Sequence, residues 1–337
     1  MSMIIKKEGI LCGNLTNPHQ ILPIKYPWAR NYYQCGIANN WTPEEISMQT
    51  DIEQWKSSIK LSEKERKIVL WSLGFFSTAE SLTANNIVLA AYKYITNPEC
   101  RQYMLRQAFE EAIHTDTFIY CCDSLGLDPN MIYTGYMTIP SIQKKDDFVI
   151  ELTQGLLNQN FILETDDHIT ELLRNLIGYY IIMEGIFFYA GFAMILALKR
   201  QNKMVGIGQQ FEYIMRDESI HLAFGADVIN TIKQEHPNAW TETFKQEIIT
   251  LIKKAVILEQ EYVYDACPEG FLGINPEQFC QYIEHIADRR LERIGLEKIY
   301  FTENPLQWMS QATDLSKEKN FFETRVTEYQ TAASLEW

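Results

Sequence analysis

Two short phrases, Glu110-Glu111-Ala112-Ile113-His114 and Asp217-Glu218-Ser219-Ile220-His221, stand about a hundred residues apart in a chain of 337. Each follows a lone glutamate: Glu80 precedes Glu111 by 31 positions and Glu184 precedes Glu218 by 34. On a helix of about 3.6 residues per turn, positions three apart share a face, so Glu111 with His114 and Glu218 with His221 each present two ligands together. Four carboxylates and two imidazoles brought into an apolar interior would each cost several kcal/mol if left unpaired. Two divalent cations cancel four negative charges. Oxygen-rich ligation with one imidazole per ion suits iron or manganese better than structural zinc, which prefers Cys and His. A zinc protease is excluded, because the residues before Glu111 and Glu218 are acidic and His-Glu-x-x-His is absent. A single Glu-x-x-His is most often a solvated helix face, but Glu184, set among Met183, Gly185, Ile186 and Phe187, has no such face to occupy.

Such ligands must be carried by helices. An interval of thirty-odd residues suits one helix running out and a second returning beside it, bringing each lone glutamate level with the next Glu-x-x-His pair. This is the constellation of ferritin-like dimetal carboxylate bundles. Helical periodicity runs from about 63 to 95, opened by Ser62-Glu63-Lys64-Glu65, and from 99 to 125, closed by Gly126. A turn-rich stretch follows through Pro129, Gly135 and Pro140, and then helices near 146–154, 167–199, 207–235, 241–264 and 276–295. Strand signals are sparse, and no Gly-, Pro- or Ser-rich linker divides the chain before residue 300. The expectation is an all-α, ferritin-like bundle over 1–304 with a central four-helix dimetal site, followed by a flexible C-terminal tail over 305–337.

A formal charge of −14 argues against a nucleic-acid surface, which needs clustered Lys and Arg, and favours cations. The cysteines, at 12, 35, 100, 121, 122, 267 and 280, show no C-x-x-C spacing and suggest a reducing cytoplasm. Leu176 to Leu198 is long and apolar enough to span a membrane, with Glu184 its only charge. A charge at the midpoint and amphipathic neighbouring helices instead suit the centre of a soluble bundle. The tail is polar yet holds Phe321, Phe322, Leu335 and Trp337, apolar area expected to dock on a partner.

At these residues the chain resembles the small, radical-generating (beta) subunit of class I ribonucleotide reductase. The resemblance covers nearly the whole length: Phe75-Phe76-Ser77-Thr78-Ala79-Glu80-Ser81, Arg106-Gln107-Ala108-Phe109-Glu110-Glu111, Tyr180-Ile181-Ile182-Met183-Glu184-Gly185, Arg216-Asp217-Glu218-Ser219-Ile220-His221, and a tail from Tyr329 to Trp337. It implies a homodimer that assembles a metal cofactor with oxygen. The oxidising equivalent then passes by long-range radical transfer to a large catalytic subunit, which makes deoxyribonucleotides and is docked through the C-terminal tail. Glu80, Glu111 and His114 would serve one metal and Glu184, Glu218 and His221 the other, with Glu111 and Glu218 bridging. Asp217, Trp41 and Tyr329 would form the radical route. Tyr213, one turn before Asp217, is a further candidate.

One departure matters more than the matches. Where most of the family carries a tyrosine that becomes a stable radical, this chain has Phe118, which has no phenolic proton to lose. Tyr120 cannot substitute, since two residues along a helix turns a side chain by about 200°. The chain thus resembles the class Ic subgroup, in which a manganese(IV)/iron(III) cluster replaces the radical; Glu80, where many relatives have aspartate, fits that subgroup. The family pattern would put manganese on the Glu80/His114 side and iron on the Glu184/His221 side, and would make Phe188, Phe192 and Ile214 an apolar pocket beside Phe118. Ligand types alone leave di-iron or di-manganese open. Two other readings use the same bundle: a ligand-binding Mn/Fe oxidase, which needs no docking tail, and a non-catalytic metal store, which needs many ions per chain.

Overall fold

The computed structural model describes residues 9–11, 22–158 and 161–310. Eight helices of twelve residues or more carry the described part of the fold: α1 (Pro27–Ala38), α2 (Glu63–Asn86), α3 (Pro98–Leu125), α4 (Pro140–Thr153), α5 (Asp166–Arg200), α6 (Val205–Glu235), α7 (Glu242–Ala266) and α8 (Pro276–Arg293). No strand occurs among the described residues, only two isolated bridges.

The helix ends follow local chemistry. The Ser62 hydroxyl accepts from Glu65 N–H while Glu65 Oε2 accepts from Ser62 N–H at 2.8 Å, which fixes the start of α2. Asn97 caps α3 with Pro98 in its first turn, and Gly126 ends it at φ 65°, a conformation open to glycine at no steric cost. The start of α6 has no side-chain cap of its own; the buried carboxylate of Asp51 accepts from Gly206 and Ile207 N–H at 2.8 and 2.9 Å. A residue 155 positions away thus closes that helix end, which local sequence does not reveal.

α2 packs on α3, and α5 on α6, as two pairs. α5 runs through the middle, touching α4, α7 and α8 as well, and its apolar stretch is completely buried. This is how the described fold uses the one segment long and apolar enough to cross a membrane. From Ile177 to Phe187 the helix widens into π-type turns, and Glu184 lies within them. Wide turns of this kind occur often at functional sites.

Two features differ from the expectation. α4 begins at Pro140, six residues early, because a proline read as a breaker in fact occupies the first helical turn, where its missing N–H costs nothing. α1 was not anticipated; it becomes a helix by laying Trp28 and Tyr32 against Phe224 of α6 and Tyr103 of α3. The six described cysteines are all free. Leu306 and Met309 are buried, so the packed body continues at least that far, while 311–337, including Tyr329, lie outside the described residues.

Candidate metal centre

The two helix pairs bring the six expected ligand side chains to one place: Glu80 from α2, Glu111 and His114 from α3, Glu184 from α5, Glu218 and His221 from α6. All are essentially inaccessible to solvent. They form two overlapping groups, Glu80, Glu111, His114 and Glu218, and Glu111, Glu184, Glu218 and His221, with ligand atoms within 4.8 Å of one another in each. Glu111 and Glu218 belong to both. His114 Nδ1 lies 3.3 Å from Glu80 and 3.1 Å from Glu218; His221 Nδ1 lies 3.1 Å from Glu111 and 3.4 Å from Glu218.

These approaches do not satisfy the groups. Glu80 Oε1, both oxygens of Glu111 and of Glu218, Glu184 Oε2 and His221 Nδ1 are buried without a hydrogen bond. Orphaned polar atoms in such number are too costly for a structural cluster and fit a pair of cations. Burial pushes Glu80 and Glu184 far above the usual carboxylate range, and the charge of Glu218 adds to both. Burial alone would depress both histidines, yet Glu80 beside His114 and Glu218 beside His221 hold them well above their ordinary value. Burial also opposes charge on Glu111, but His221 and His114 hold it below its normal range. Two divalent ions would displace protons that burial and neighbouring charges favour on Glu80, Glu184 and the two histidines. The ligand types and their burial fit a dimetal carboxylate centre.

Each imidazole is aimed by its other nitrogen. His114 Nε2 faces Asp217 Oδ2 at 3.4 Å, and His221 Nε2 faces Glu110 Oε2 at 2.9 Å. Arg216 donates to Asp217 Oδ1 at 3.1 Å and Arg106 to Glu110 Oε1 at 2.9 Å, so the two halves of the site repeat one design. The sequence reading put Asp217 on the radical route and missed Glu110, although each is the residue immediately before a glutamate common to both groups. Gln107 was missed too: its amide donates to Glu184 Oε1 at 3.3 Å and accepts from Tyr180 OH at 2.9 Å.

Trp41 is buried, and its indole N–H donates to Asp217 Oδ2 at 2.8 Å. Asp217 therefore touches both Trp41 and His114, whose rings are 6.4 Å apart. Despite burial, His114 and Arg216 hold Asp217 below its ordinary carboxylate value. Tyr213, half-buried, stands edge-on to Trp41 at 5.2 Å. Phe118 is fully buried between Phe76 and Phe211, at 6.0 and 6.1 Å. Phe188 and Phe192 meet that cluster through Phe76 at 4.8 and 5.1 Å, and Ile214 is buried on α6. Tyr120 is elsewhere, its hydroxyl on Ile46 O at 3.1 Å.

Fold and site together define a ferritin-like dimetal carboxylate protein. Residues 18–305 match the family model described as ribonucleotide reductase, small chain. The chain is 57% identical over 333 residues to the ribonucleoside-diphosphate reductase subunit beta of Chlamydia pneumoniae, covering 99% of this chain and 96% of that one. It is 31% identical to ribonucleoside-diphosphate reductase small chain 1 of Saccharomyces cerevisiae, over 97% of this chain and 77% of the other. Among solved structures, the ribonucleotide reductase R2 subunit from Clostridium botulinum superimposes with a TM-score of 0.82 at 28% identity, over 93% of this chain and 98% of that one. The chain belongs to the ribonucleotide reductase small-chain family. Its activity is that of the small subunit of ribonucleoside-diphosphate reductase, and the readings as an independent oxidase or a metal store are set aside.

Proposed function

We propose that the centre holds one manganese and one iron per chain, with manganese at Glu80/His114 and iron at Glu184/His221, and that no amino-acid radical stores the oxidising equivalent. The observation that carries this reading is the surrounding of Phe118: both of its ring neighbours, Phe76 and Phe211, are phenylalanines, and none of the three has a phenol to oxidise. When bound, and after activation by oxygen or a reduced oxygen species, the metal pair would supply a one-electron oxidant for each turnover. The chain's own residues do the rest. Phe188, Phe192 and Ile214 keep that side of the centre dry. Asp217 Oδ2 holds the indole proton of Trp41 and can accept it when the ring is oxidised, while its contact with His114 ties the ring to the centre. Tyr213 is a further oxidisable ring beside Trp41. The C-terminal tail, beyond the packed body, docks the large catalytic subunit, and Tyr329 carries the oxidising equivalent across to it, where ribonucleotides are reduced.

Metal analysis of the activated protein, paired with electron paramagnetic resonance, tests the proposal. The expected result is one manganese and one iron per chain and no tyrosyl signal. Full activity with iron alone, with manganese alone, or with a persistent tyrosyl radical defeats it.

The reading includes a homodimer in the cytoplasm. Leu105, Phe109 and Ile119 form an exposed stripe along α3, with Val88 and Leu89 exposed just beyond α2. A second copy covering that face would remove apolar area from water. Sedimentation is expected to return the mass of two chains for the native protein and of one for Phe109→Glu; a native monomer refutes the dimer.

A further inference from the structure

Between Glu184 and Phe192 helix α5 changes from wide to regular turns. Three main-chain groups in this stretch are engaged by side chains from three other helices. Arg290 Nε, on α8, donates to Gly185 O at 2.8 Å. Lys145 Nζ, on α4, donates to Phe187 O at 3.1 Å. Glu259 Oε1, on α7, accepts from Ala190 N–H at 3.2 Å. Lys145 and Glu259 are both fully buried and paired with each other at 2.6 Å. The ammonium also lies over the rings of Phe75 at 3.5 Å and Tyr262 at 4.3 Å. A Cβ on Gly185 would come within 3.3 Å of Arg290 Nε and 3.0 Å of Tyr180 O, so glycine makes room for this contact next to the ligand.

Such an arrangement is expensive. A buried ion pair is seldom worth more than apolar residues of the same volume, and here burial works against both charges, lowering Lys145 and pushing Glu259 up to about 7. What the three residues provide that apolar replacements would not is hydrogen bonds to one particular stretch of backbone. That stretch begins one residue after Glu184, a ligand whose Oε2 has no hydrogen-bond partner.

We propose that Lys145, Glu259 and Arg290 are positioning residues for Glu184: they clamp the break in α5 and thereby set where this carboxylate stands in the Glu184/His221 half of the centre. None of them reaches the ligands. The proposal rests on the reading of the site as a two-ion centre.

The test uses full-length protein. Lys145→Met/Glu259→Leu removes the pair and its backbone bonds together, so that no charge is left buried alone. Arg290→Met, made separately, removes the bond to Gly185 and keeps the proposal testable if the double variant does not fold. Manganese and iron affinities are measured by competition with a chelator, and amide exchange is followed across 184–192 in metal-free protein. In folded variants with melting temperatures near wild type, exchange over 186–191 is expected to rise. One of the two ions is expected to bind roughly tenfold more weakly, the size of effect typical of partners behind a ligand, while the other changes less than about twofold. A purely structural role would weaken both ions together or neither. Folded variants with wild-type exchange and both affinities intact overturn the clamp; a wild-type protein that binds fewer than two ions overturns the two-ion reading on which it stands.

Discussion

Glu218→Ala is expected to strip both ions from the protein and abolish reductase activity while leaving the chain folded. Glu218 is a member of both ligand groups, and each of its oxygens faces a different histidine, Oε1 toward His114 at 3.1 Å and Oε2 toward His221 at 3.4 Å. Removing it takes one ligand from each ion and one of the negative charges that balance them. The loss of affinity should exceed the roughly 10- to 100-fold seen when only an outer-shell partner is removed. The metal-free variant is expected to stay folded but to melt below metal-free wild type, because the change removes a carboxylate that helps hold buried His114 and His221 charged and leaves a cavity in its place. Elemental analysis and a thermal melt decide the matter. Retention of one ion at wild-type affinity would mean that Glu218 serves a single position.

Cutting the proposed electron route at either end should silence turnover with both ions still bound. Trp41→Phe keeps a ring of similar shape in a buried site but loses the indole N–H that Asp217 holds at 2.8 Å, together with a readily oxidised group. Deletion of 320–337 removes Tyr329 and the aromatic docking segment without touching the six ligands. For each, deoxyribonucleotide formation in the presence of the large subunit is expected to fall at least about a hundredfold, equivalent to ~2.7 kcal/mol on the limiting step. Metal content should stay at the wild-type value. If Trp41→Phe turns over normally, the route leaves the centre elsewhere; if the shortened chain does, docking does not depend on the tail.

The buried cluster was legible because each Glu-x-x-His pair is a local, periodic signal and because a lone charge such as Glu184 inside an apolar helix demands a partner. The helix hairpins were legible from the intervals between ligands. Less visible were groups whose roles depend on a distant residue. Asp51 caps α6, Glu110 aims the histidine of another helix, and Gln107 holds Glu184. Glu110 had a signal in its place before Glu111, matching Asp217 before Glu218; Gln107 and Asp51 had none. The pocket around Phe118 was anticipated in kind, but its immediate neighbours, Phe76 and Phe211, come from helices whose rotation is set by packing.

By itself the sequence determined the helical class, the six candidate ligands and their division into two sets, since period and charge burial are properties of a segment and need no knowledge of its neighbours. Only the tertiary structure decided which carboxylate faces which imidazole, and that side chains of Lys145, Glu259 and Arg290 hydrogen-bond the main chain of α5 just after Glu184. Those facts depend on how far one helix is rotated and shifted against another. That displacement is fixed by the interlocking of side chains from the whole bundle, and no local stretch of chain encodes it.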